Sequence, residues 1–328
     1  MKILICGYNL YGYLDSIAYG FRRNGCQVKV FSHPNVSIRK LKKGSIIKKA
    51  IARFRLKRIN DALKNEALNF RPDLFLSING SSILYETALF LSERFFTAIW
   101  LVDSLERVAT EKRTIELFRK VFVFEPEDRN YIKDAEYLPY GFDERIYFRK
   151  DLRKVYDVTF VGAGHAERYE PLDCIARECK KRGIGFFVFG PFSKFRKEGS
   201  YRKRFPYLYS AIQHNGRLAP ERICDIYNMS WININIHHPQ SKKGVNPRVF
   251  EILGSGSFQI TDEKETIKEM FRIGEEIETY SDVKDLMKKV SYYLDKKERI
   301  EEISKNGMKR AISEHTFFHR TKTLLERL

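Results

Sequence analysis

The sequence predicts an α/β protein with two parallel sheets, because strand and helix signals alternate along the chain and then start again. In the first half, apolar runs at Lys2 to Cys6, Gln27 to Phe31 and Leu74 to Ile78 alternate with helical patterns such as Tyr13 to Asn24. From Asp157 the alternation restarts. This pattern is typical of parallel sheets that carry helices on both faces. We therefore expect two Rossmann-like domains that face each other across a cleft.

Six further strands complete this prediction, each a short and mostly apolar run. They are Phe96 to Val102, Val121 to Phe124, Asp157 to Val161, Gly185 to Phe189, Trp231 to Ile236 and Phe258 to Thr261. Loops that follow parallel strands lie at one edge of a sheet, where open α/β folds bind their ligands. The residues after these strands are therefore the first candidates for a functional site.

The net charge is the clearest compositional signal about partners. The 328 residues carry a formal charge of +18, which implies nucleic acid, a phospholipid surface or phosphorylated substrates as partner. No run of eighteen apolar residues occurs, and a strand follows Met1 directly, so we expect no transmembrane helix, no signal peptide and a cytoplasmic protein. The five scattered cysteines lack a C-x-x-C pair, which indicates neither a disulfide framework nor a zinc site.

The stretch from Lys242 to Asp262 has the pattern of a loop, a short helix, a turn and a strand. Asn246 is a favoured N-cap residue, and Pro247 suits the first helical position. The free N–H groups of such a helix start, together with Lys242, Lys243 and Arg248, would receive phosphate groups. Glu251, one turn further, could accept hydrogen bonds from ribose hydroxyls. The stretch favours a nucleotide-sugar site, although a surface helix with a solvated basic end has the same pattern.

Two glycine-containing loops follow the first strand of each half. The loop from Phe160 to Arg168 begins like a dinucleotide fingerprint but has Glu167 in place of the third glycine, which argues against a nicotinamide or flavin site. The loop from Gly7 to Gly12 is not a P-loop, because Tyr13 stands where the lysine would be. Small residues there would still allow a ligand to approach the backbone closely.

A strongly basic segment lies between the second and third strands. Ile38 to Arg58 holds ten Lys or Arg residues and no acid, and its apolar residues recur at helical spacing. We expect one basic amphipathic helix or two short ones. Such a helix either packs on the core with a solvated basic face or docks on anionic lipid, to which each basic residue adds roughly 1 kcal/mol.

Several segments of the second half together resemble the CgeB-like group of GT-B glycosyltransferases. They are Gly216 to Ser230 with the strand that follows, Phe250 to Gly254, Phe271 to Glu276 and His315 to Arg320. The resemblance extends from about residue 137 to the end, and over the first half it concerns the layout. Tyr137 to Asp143 is similar to the turn by which GT-B enzymes leave their first domain. The resemblance implies an acceptor domain at 1–140, a donor domain at 141–316 and a helix at 317–328 that packs back on the first domain.

The resemblance also implies which residues line the cleft. Residues of the second half, Gly162, Gly164, His165, Arg168 and Gly190, would contact the donor, and in the first half Gly7, Tyr8 and Gly12 would reach the cleft. Asp103 follows a strand of the first half, which makes it the candidate general base, although helix capping explains it equally well. His165 is the preferred histidine, ahead of His237 and His238.

The sequence contains no Asp-x-Asp pair, the motif by which many sugar-nucleotide enzymes hold a divalent metal. We therefore expect no metal and no cofactor, with Arg248, Lys242, Lys243 and helix N–H groups neutralising the diphosphate. Many retaining GT-B enzymes carry a second glutamate eight positions before the one that Glu251 matches. Position 243 is a lysine, so the stereochemistry stays open.

These observations predict a metal-independent glycosyltransferase of polysaccharide biosynthesis, peripheral on the inner face of the plasma membrane. It would transfer a sugar from a nucleotide donor to a surface glycan or lipid-linked acceptor. One alternative is a sugar-nucleotide epimerase on the same fold, which would need no acceptor. Another is a nucleic-acid-binding protein, which the charge suggests, but the sequence has no recognisable binding module.

Overall fold

The computed structural model of the chain describes residues 1–34, 36, 38 and 45–328. Contacts between Cα atoms divide these residues into two compact units. The first unit comprises Met1–Tyr140, Gln240–Gly244 and Phe317–Leu328, and the second comprises Gly141–Pro239 and Val245–Thr316. The short segment Gln240–Gly244 thus belongs to the first unit although both of its chain neighbours belong to the second. We call it the returning segment.

Within the described residues, each unit contains one six-stranded parallel sheet. The first sheet has the order β2-β1-β3-β4-β5-β6, with β1 at Lys2–Gly7, β2 at Gln27–Ser32, β3 at Leu74–Ile78, β4 at Phe96–Leu101, β5 at Lys120–Val123 and β6 at Glu136–Tyr137. The second has the order β12-β11-β10-β7-β8-β9, with β7 at Tyr156–Val161, β8 at Phe186–Phe189, β9 at Ile212–His214, β10 at Ser230–Asn235, β11 at Gln259–Asp262 and β12 at Glu278–Tyr280.

Helices, or between β5 and β6 a 3-10 turn, lie between successive strands, as the connections of a parallel sheet require. In the first unit these are α1 (Tyr13–Arg23), α2 (Ile46–Phe70), α3 (Tyr85–Ser92), α4 (Lys112–Ile115) and a 3-10 turn at Pro126–Asn130. In the second they are α5 (Ala166–Lys181), α6 (Ser193–Lys197), α7 (Gly199–Arg204), α8 (Pro206–Ala211), α9 (Pro220–Asn228), α10 (Pro247–Gly254), α11 (Glu265–Met270), α12 (Val283–Asp295) and α13 (Lys297–Glu314). The final helix α14 (Phe317–Glu326) lies in the first unit.

Alternation along β1 shows how the first sheet is buried on both faces. Ile3 and Ile5 pack in one cluster with α1 and α14, whereas Leu4 and Cys6 pack in another with residues of α2 and α3. A Cβ at Gly20 would lie 2.5 Å from the carbonyl oxygen of Phe317, so only glycine allows α1 and α14 to approach this closely.

The predicted α/β architecture with two parallel sheets is confirmed. The short strands β6, β9 and β12 contain two or three residues each, too few for a periodic pattern. Five cysteines are free thiols, and burial raises the pKa of Cys6 and Cys179 to about 12. Among the described residues, no helix is long and apolar enough to cross a membrane.

The predicted basic segment folds in part as the start of α2, and its residues 39–44 lie outside the described residues. The buried face of α2 is formed by Ala52, Leu56, Asn60, Leu63 and Ala67. The side-chain amide of Asn60 donates to the carbonyl of Ser82, and its oxygen accepts the N–H of Leu84. The apolar residues that gave the segment its helical spacing are not on this face.

Candidate functional site

The loops after β7 and β8 approach each other so closely that glycine is required at two positions. A Cβ at Gly190, where φ is +138°, would lie 2.0 Å from the carbonyl oxygen of Gly162. A Cβ at Gly164 would lie 2.4 Å from the ring of Phe192. The predicted donor-loop glycines therefore form one packed group at the carboxyl ends of β7 and β8.

Arg168, in the first turn of α5, is a buried cation at this edge of the sheet. Only 3% of its surface is exposed. It donates from Nη1 to the carbonyl of Ala163 at 3.1 Å and from Nη2 to the carbonyl of Ile236 at 2.6 Å. Its Nε is buried without a hydrogen-bond partner among the described residues. Burial, and next the charge of Arg248, lowers the pKa of Arg168 to about 9, so the side chain is still cationic at pH 7.

Arg248, in the first turn of α10, is the second guanidinium of the group. Its Nε donates to the side-chain oxygen of Asn235 at 3.3 Å, and its Nη1 would lie 3.2 Å from a Cβ at Gly162. The absence of a side chain at position 162 thus lets Arg248 lie against the β7 loop. In the part of the chain that the structure describes, neither Arg168 nor Arg248 forms an ion pair with a carboxylate. Two neighbouring positive charges in a partly buried site repel each other, and a bound anion would stabilise both.

The start of α10 differs in detail from the expected cap. Asn246 stands at the N-cap position, and Pro247 opens the helix as predicted, but the Asn246 side chain does not bond to the first turn. It instead forms a reciprocal amide pair with Asn235, with hydrogen bonds of 3.1 and 3.2 Å. The pair joins the end of β10 to the start of α10. It also leaves the first turn without a side-chain acceptor from Asn246.

Glu251 lies deeper than its expected contact with ribose suggests. It is buried, with 3% of its surface exposed. Burial first, and then the Glu251 carboxylate, raises the pKa of Tyr147 and Tyr227 well above the usual value. The two tyrosines are therefore neighbours of this carboxylate, which the sequence pattern did not indicate. The ribose-binding role of Glu251 stays a prediction.

A histidine–aspartate pair lies at the ends of β10 and β11. Nδ1 of His237 and Oδ1 of Asp262 are 2.6 Å apart, and Asp262 also accepts the backbone N–H of His237 at 2.9 Å. Burial lowers the pKa of His237 despite this partner. Burial alone would raise the pKa of Asp262, but His237 brings it below its usual value. The sequence pattern favoured His165, whose ring lies 4.9 Å from that of His238. Adjacent strand ends are the signal that could have selected His237.

The predicted site residues of the first half lie in the first unit. Asp103 accepts hydrogen bonds from Asn79 at 3.0 Å and from Gln240 of the returning segment at 3.3 Å. Gly12 is the left-handed residue before α1, and Tyr8 is 37% exposed. Gly7 is packed against Ile78 and Leu14, at 3.2 Å from a hypothetical Cβ.

Lys242 and Lys243, predicted to bind the donor, also lie in the first unit. The ammonium group of Lys242 is 3.8 Å from Glu106 and 3.6 Å from Glu127. The backbone N–H of Lys243 donates to Glu125. The remaining predicted donor residues, from Gly162 to Glu251, belong to the second unit. In the described ranges, no group of three or more His, Cys, Asp or Glu side chains is arranged to hold a metal ion.

Comparisons with known proteins bear on this arrangement. A family model described as "Glycosyl transferase-like" matches residues 172–326. Among solved structures, sucrose-phosphate synthase from Thermosynechococcus elongatus superposes with a TM-score of 0.70 at 13% identity, covering 100% of this chain and 98% of that one. Anabaena HepE in complex with UDP-glucose superposes at 0.66 with 12% identity, covering 100% and 99%.

A third structure, a putative UDP-N-acetylglucosamine 2-epimerase from Listeria monocytogenes, superposes at 0.60 with 9% identity and covers 100% and 97%. Among curated proteins, none matches the sequence significantly. The CgeB-like grouping stays a prediction. The chain therefore has the GT-B glycosyltransferase fold, and about half of it matches a glycosyl transferase-like family model.

Proposed function

We propose that the protein is a glycosyltransferase that uses a nucleoside-diphosphate sugar as donor and a surface glycan or lipid-linked molecule as acceptor. The observation that carries the proposal is the pair of guanidiniums, Arg168 and Arg248, which lie together at the strand ends without a carboxylate partner among the described residues. A diphosphate would accept hydrogen bonds from both, and charge-assisted bonds of this kind are the strong ones. The family-model match over residues 172–326 supports the transferase class.

The arrangement suits transfer of a hexosyl or related sugar. The bond from the anomeric carbon to the phosphate oxygen breaks, and a bond to an acceptor hydroxyl oxygen forms. Negative charge grows on the departing phosphate, where Arg168, Arg248 and the first turn of α10 stabilise it. The hydroxyl proton passes to Asp103 if configuration inverts, or to the departing phosphate if it is retained. His165 is assigned a hydrogen bond to the transferring group.

Fold alone does not separate a transferase from an epimerase, because a putative epimerase shares this architecture. The two activities differ in whether an acceptor is consumed. The family-model match favours transfer. An epimerase would instead change the sugar on the donor in the absence of any acceptor.

The donor proposal is tested by thermal shift of the full chain with UDP and UDP-glucose, and then with the other nucleoside diphosphates, with and without EDTA. A ligand that binds only the native state raises the melting temperature, so we expect a shift that EDTA does not abolish. In Arg248→Met the affinity should fall at least about 10-fold while the unliganded melting temperature stays unchanged. The control Arg177→Met replaces an exposed arginine. The proposal is wrong if no nucleoside diphosphate shifts the wild type.

We also propose that the protein is peripheral on an anionic membrane through the first turns of α2. The exposed apolar residues there are Ile46, Ile47, Ala50, Ile51 and Phe54, with exposed fractions of 87, 72, 48 and 62% for Ile46, Ile47, Ile51 and Phe54. Residues four apart lie above one another on a helix, so these side chains form one stripe. The stripe lies on the helix side opposite the buried Ala52 and Leu56. Exposed cations flank it at Lys48, Lys49, Arg53, Arg55, Lys57 and Arg58.

An apolar stripe between cations is the pattern of a helix that lies in the lipid interface. Sedimentation with vesicles of phosphatidylcholine and 30% phosphatidylglycerol tests it. Replacing Lys48, Lys49, Arg53 and Arg55 by Gln should reduce binding at least 100-fold, since each cation near the surface adds about 1 kcal/mol. The matched control replaces four exposed lysines of α12 and α13 or their flanks, Lys284, Lys288, Lys296 and Lys305, by Gln. Equal loss in both variants would contradict the proposal and indicate general charge attraction.

A further inference from the structure

A cavity of about 460 Å³ lies within the first unit, and acidic side chains outnumber basic ones in its lining. Its walls come from the loop after β4, the start of α4, the 3-10 turn and the returning segment. Four carboxylates line it, from Glu106, Glu125, Glu127 and Asp128, against the two lysines Lys112 and Lys242. We call this cavity the acidic pocket. Its volume suits a sugar unit or two.

Asp128 is a buried carboxylate of the acidic pocket, with 6% of its surface exposed. Its Oδ2 accepts the backbone N–H of Leu105 at 2.9 Å. Burial raises its pKa to about 6; the Leu105 bond opposes this shift, and the charges of Glu125 and Glu106 add to it. The charged form of such a buried carboxylate is stabilised by each further hydrogen bond that it accepts, for example from a hydroxyl or an ammonium group.

The returning segment forms a fixed wall of the acidic pocket. The Glu125 carboxylate, with 2% of its surface exposed, accepts the backbone N–H of Lys243 at 3.1 Å and that of Gly244 at 3.0 Å. A Cβ at Gly244 would lie 2.8 Å from the carbonyl oxygen of Phe124, so a larger residue would displace the segment. These bonds position Gln240 and Lys242 on the pocket wall.

Both cations of the acidic pocket are paired with carboxylates, and the ammonium group of Lys112 lies 3.6 Å from Glu116, which is not part of the pocket lining. Lys242 lies within 4 Å of both Glu106 and Glu127, whose charges raise the pKa of its ammonium group. Tyr131, 61% exposed, adds an aromatic ring to the lining. An exposed ring beside carboxylates offers an apolar surface for the C–H face of a sugar and acceptors for its hydroxyls. A phosphate would meet mostly like charge here.

We propose that the acidic pocket binds a non-anionic sugar unit, neutral or amine-bearing, and excludes phosphorylated and acidic sugars. The inference rests on the proposed function in taking this sugar to be the accepting end of the acceptor. The two sites would then bind different groups. The guanidiniums of the second unit would bind the diphosphate, and the carboxylates of the first unit would bind the hydroxyl-bearing sugar.

Saturation-transfer NMR on the full chain tests the proposal. The probes are the methyl glycosides of glucose, galactose, mannose and N-acetylglucosamine, together with glucosamine, glucose 6-phosphate and glucuronate. The spectra are recorded with excess UDP, so that the guanidinium pair is occupied. Under this condition we expect signals from at least one neutral or amine-bearing sugar and none from the two anionic ones. Asp128→Asn should weaken binding of that sugar at least 5-fold, whereas the control Asp151→Asn, at an exposed site, should leave it unchanged.

A second variant changes the acidic pocket at an exposed position and leaves its buried carboxylates intact. Tyr131→Ala removes an exposed ring and should also weaken sugar binding at least 5-fold. Preferential binding of the anionic sugars, no binding of any neutral or amine-bearing sugar, or unchanged binding in the pocket variants would overturn the inference. The UDP thermal shift is measured on the same samples. A UDP shift without sugar binding contradicts the pocket alone, and sugar binding without any nucleotide shift contradicts the proposed donor function alone.

Discussion

The acidic pocket of the first unit and the guanidinium pair of the second unit are opposite in charge but alike in their physics. Burial raises the pKa of Asp128 to about 6 and lowers that of Arg168 to about 9, so in both places the fold disfavours the charged form. Such perturbed groups concentrate at functional sites. The net charge of +18 predicts an anionic partner for the whole chain but says nothing about which site would bind it.

The largest expected effect is the loss of stability when a loop glycine of either unit is replaced by alanine. Gly190→Ala should lower the free energy of unfolding by about 3 kcal/mol or more, because its Cβ would overlap the Gly162 carbonyl oxygen. The matched variant in the first unit is Gly12→Ala. Gly12 also has positive φ, +79°, but has no neighbour within 4 Å of its hypothetical Cβ, so a cost of about 1 kcal/mol is expected. Urea unfolding measures both, and equal costs would show that the second-unit loops can relax.

The next effect separates the two sets of cations that the sequence assigned to the donor. Arg168→Gln should weaken UDP binding about 100-fold, which corresponds to about 2.7 kcal/mol, because a buried charge-assisted donor is lost. Lys242→Gln should change it less than about 3-fold, since Lys242 is paired with Glu106 and Glu127 in the first unit. Isothermal titration with UDP measures both affinities. Similar losses in the two variants would show that Lys242 also contributes to binding of the donor.

The smallest expected effect is a change in how the free energy of unfolding depends on pH. The folded-state pKa of Asp128 is raised from 3.8 to about 6, so its contribution to stability is present below pH 3.8 and is lost as the pH rises through 6. Asn at position 128 can still accept the Leu105 N–H. The free energy of unfolding of Asp128→Asn should therefore be about 2 kcal/mol higher than that of the wild type at pH 7.5. The difference should vanish near pH 3.8. Chemical unfolding across this range measures it, and a less stable variant at pH 7.5 would contradict the assignment.

Local sequence patterns were sufficient to predict much of the local structure of the second unit. Pro247 opens α10 and Arg248 adds a positive charge to its first turn as the sequence predicted, because a helix start depends on residues next to one another. The three predicted loop glycines carry a steric reason in the structure. The partner of Asn246 was not predicted, since Asn235 is eleven residues away and reaches it only through the packing of β10 on α10.

In the first unit, contacts between residues far apart in the chain determine which side chains are buried and which segments meet. The apolar spacing of α2 was evident, but the core is formed by Ala52 and Leu56 while Ile46 and Phe54 are exposed, which depends on the sheet beneath the helix. The return of Gln240–Gly244 to Glu125 joins residues over a hundred positions apart.

The sequence by itself determined the two α/β halves, the glycine loops and the basic helix start, because period, turn chemistry and capping act over a few residues. Only the tertiary structure decided which charges meet. It left Arg168 and Arg248 together, placed Lys242 among carboxylates and buried Asp128 in the acidic pocket. The free energy of a charge depends on its burial and on its neighbours in space, and chain order specifies neither of them.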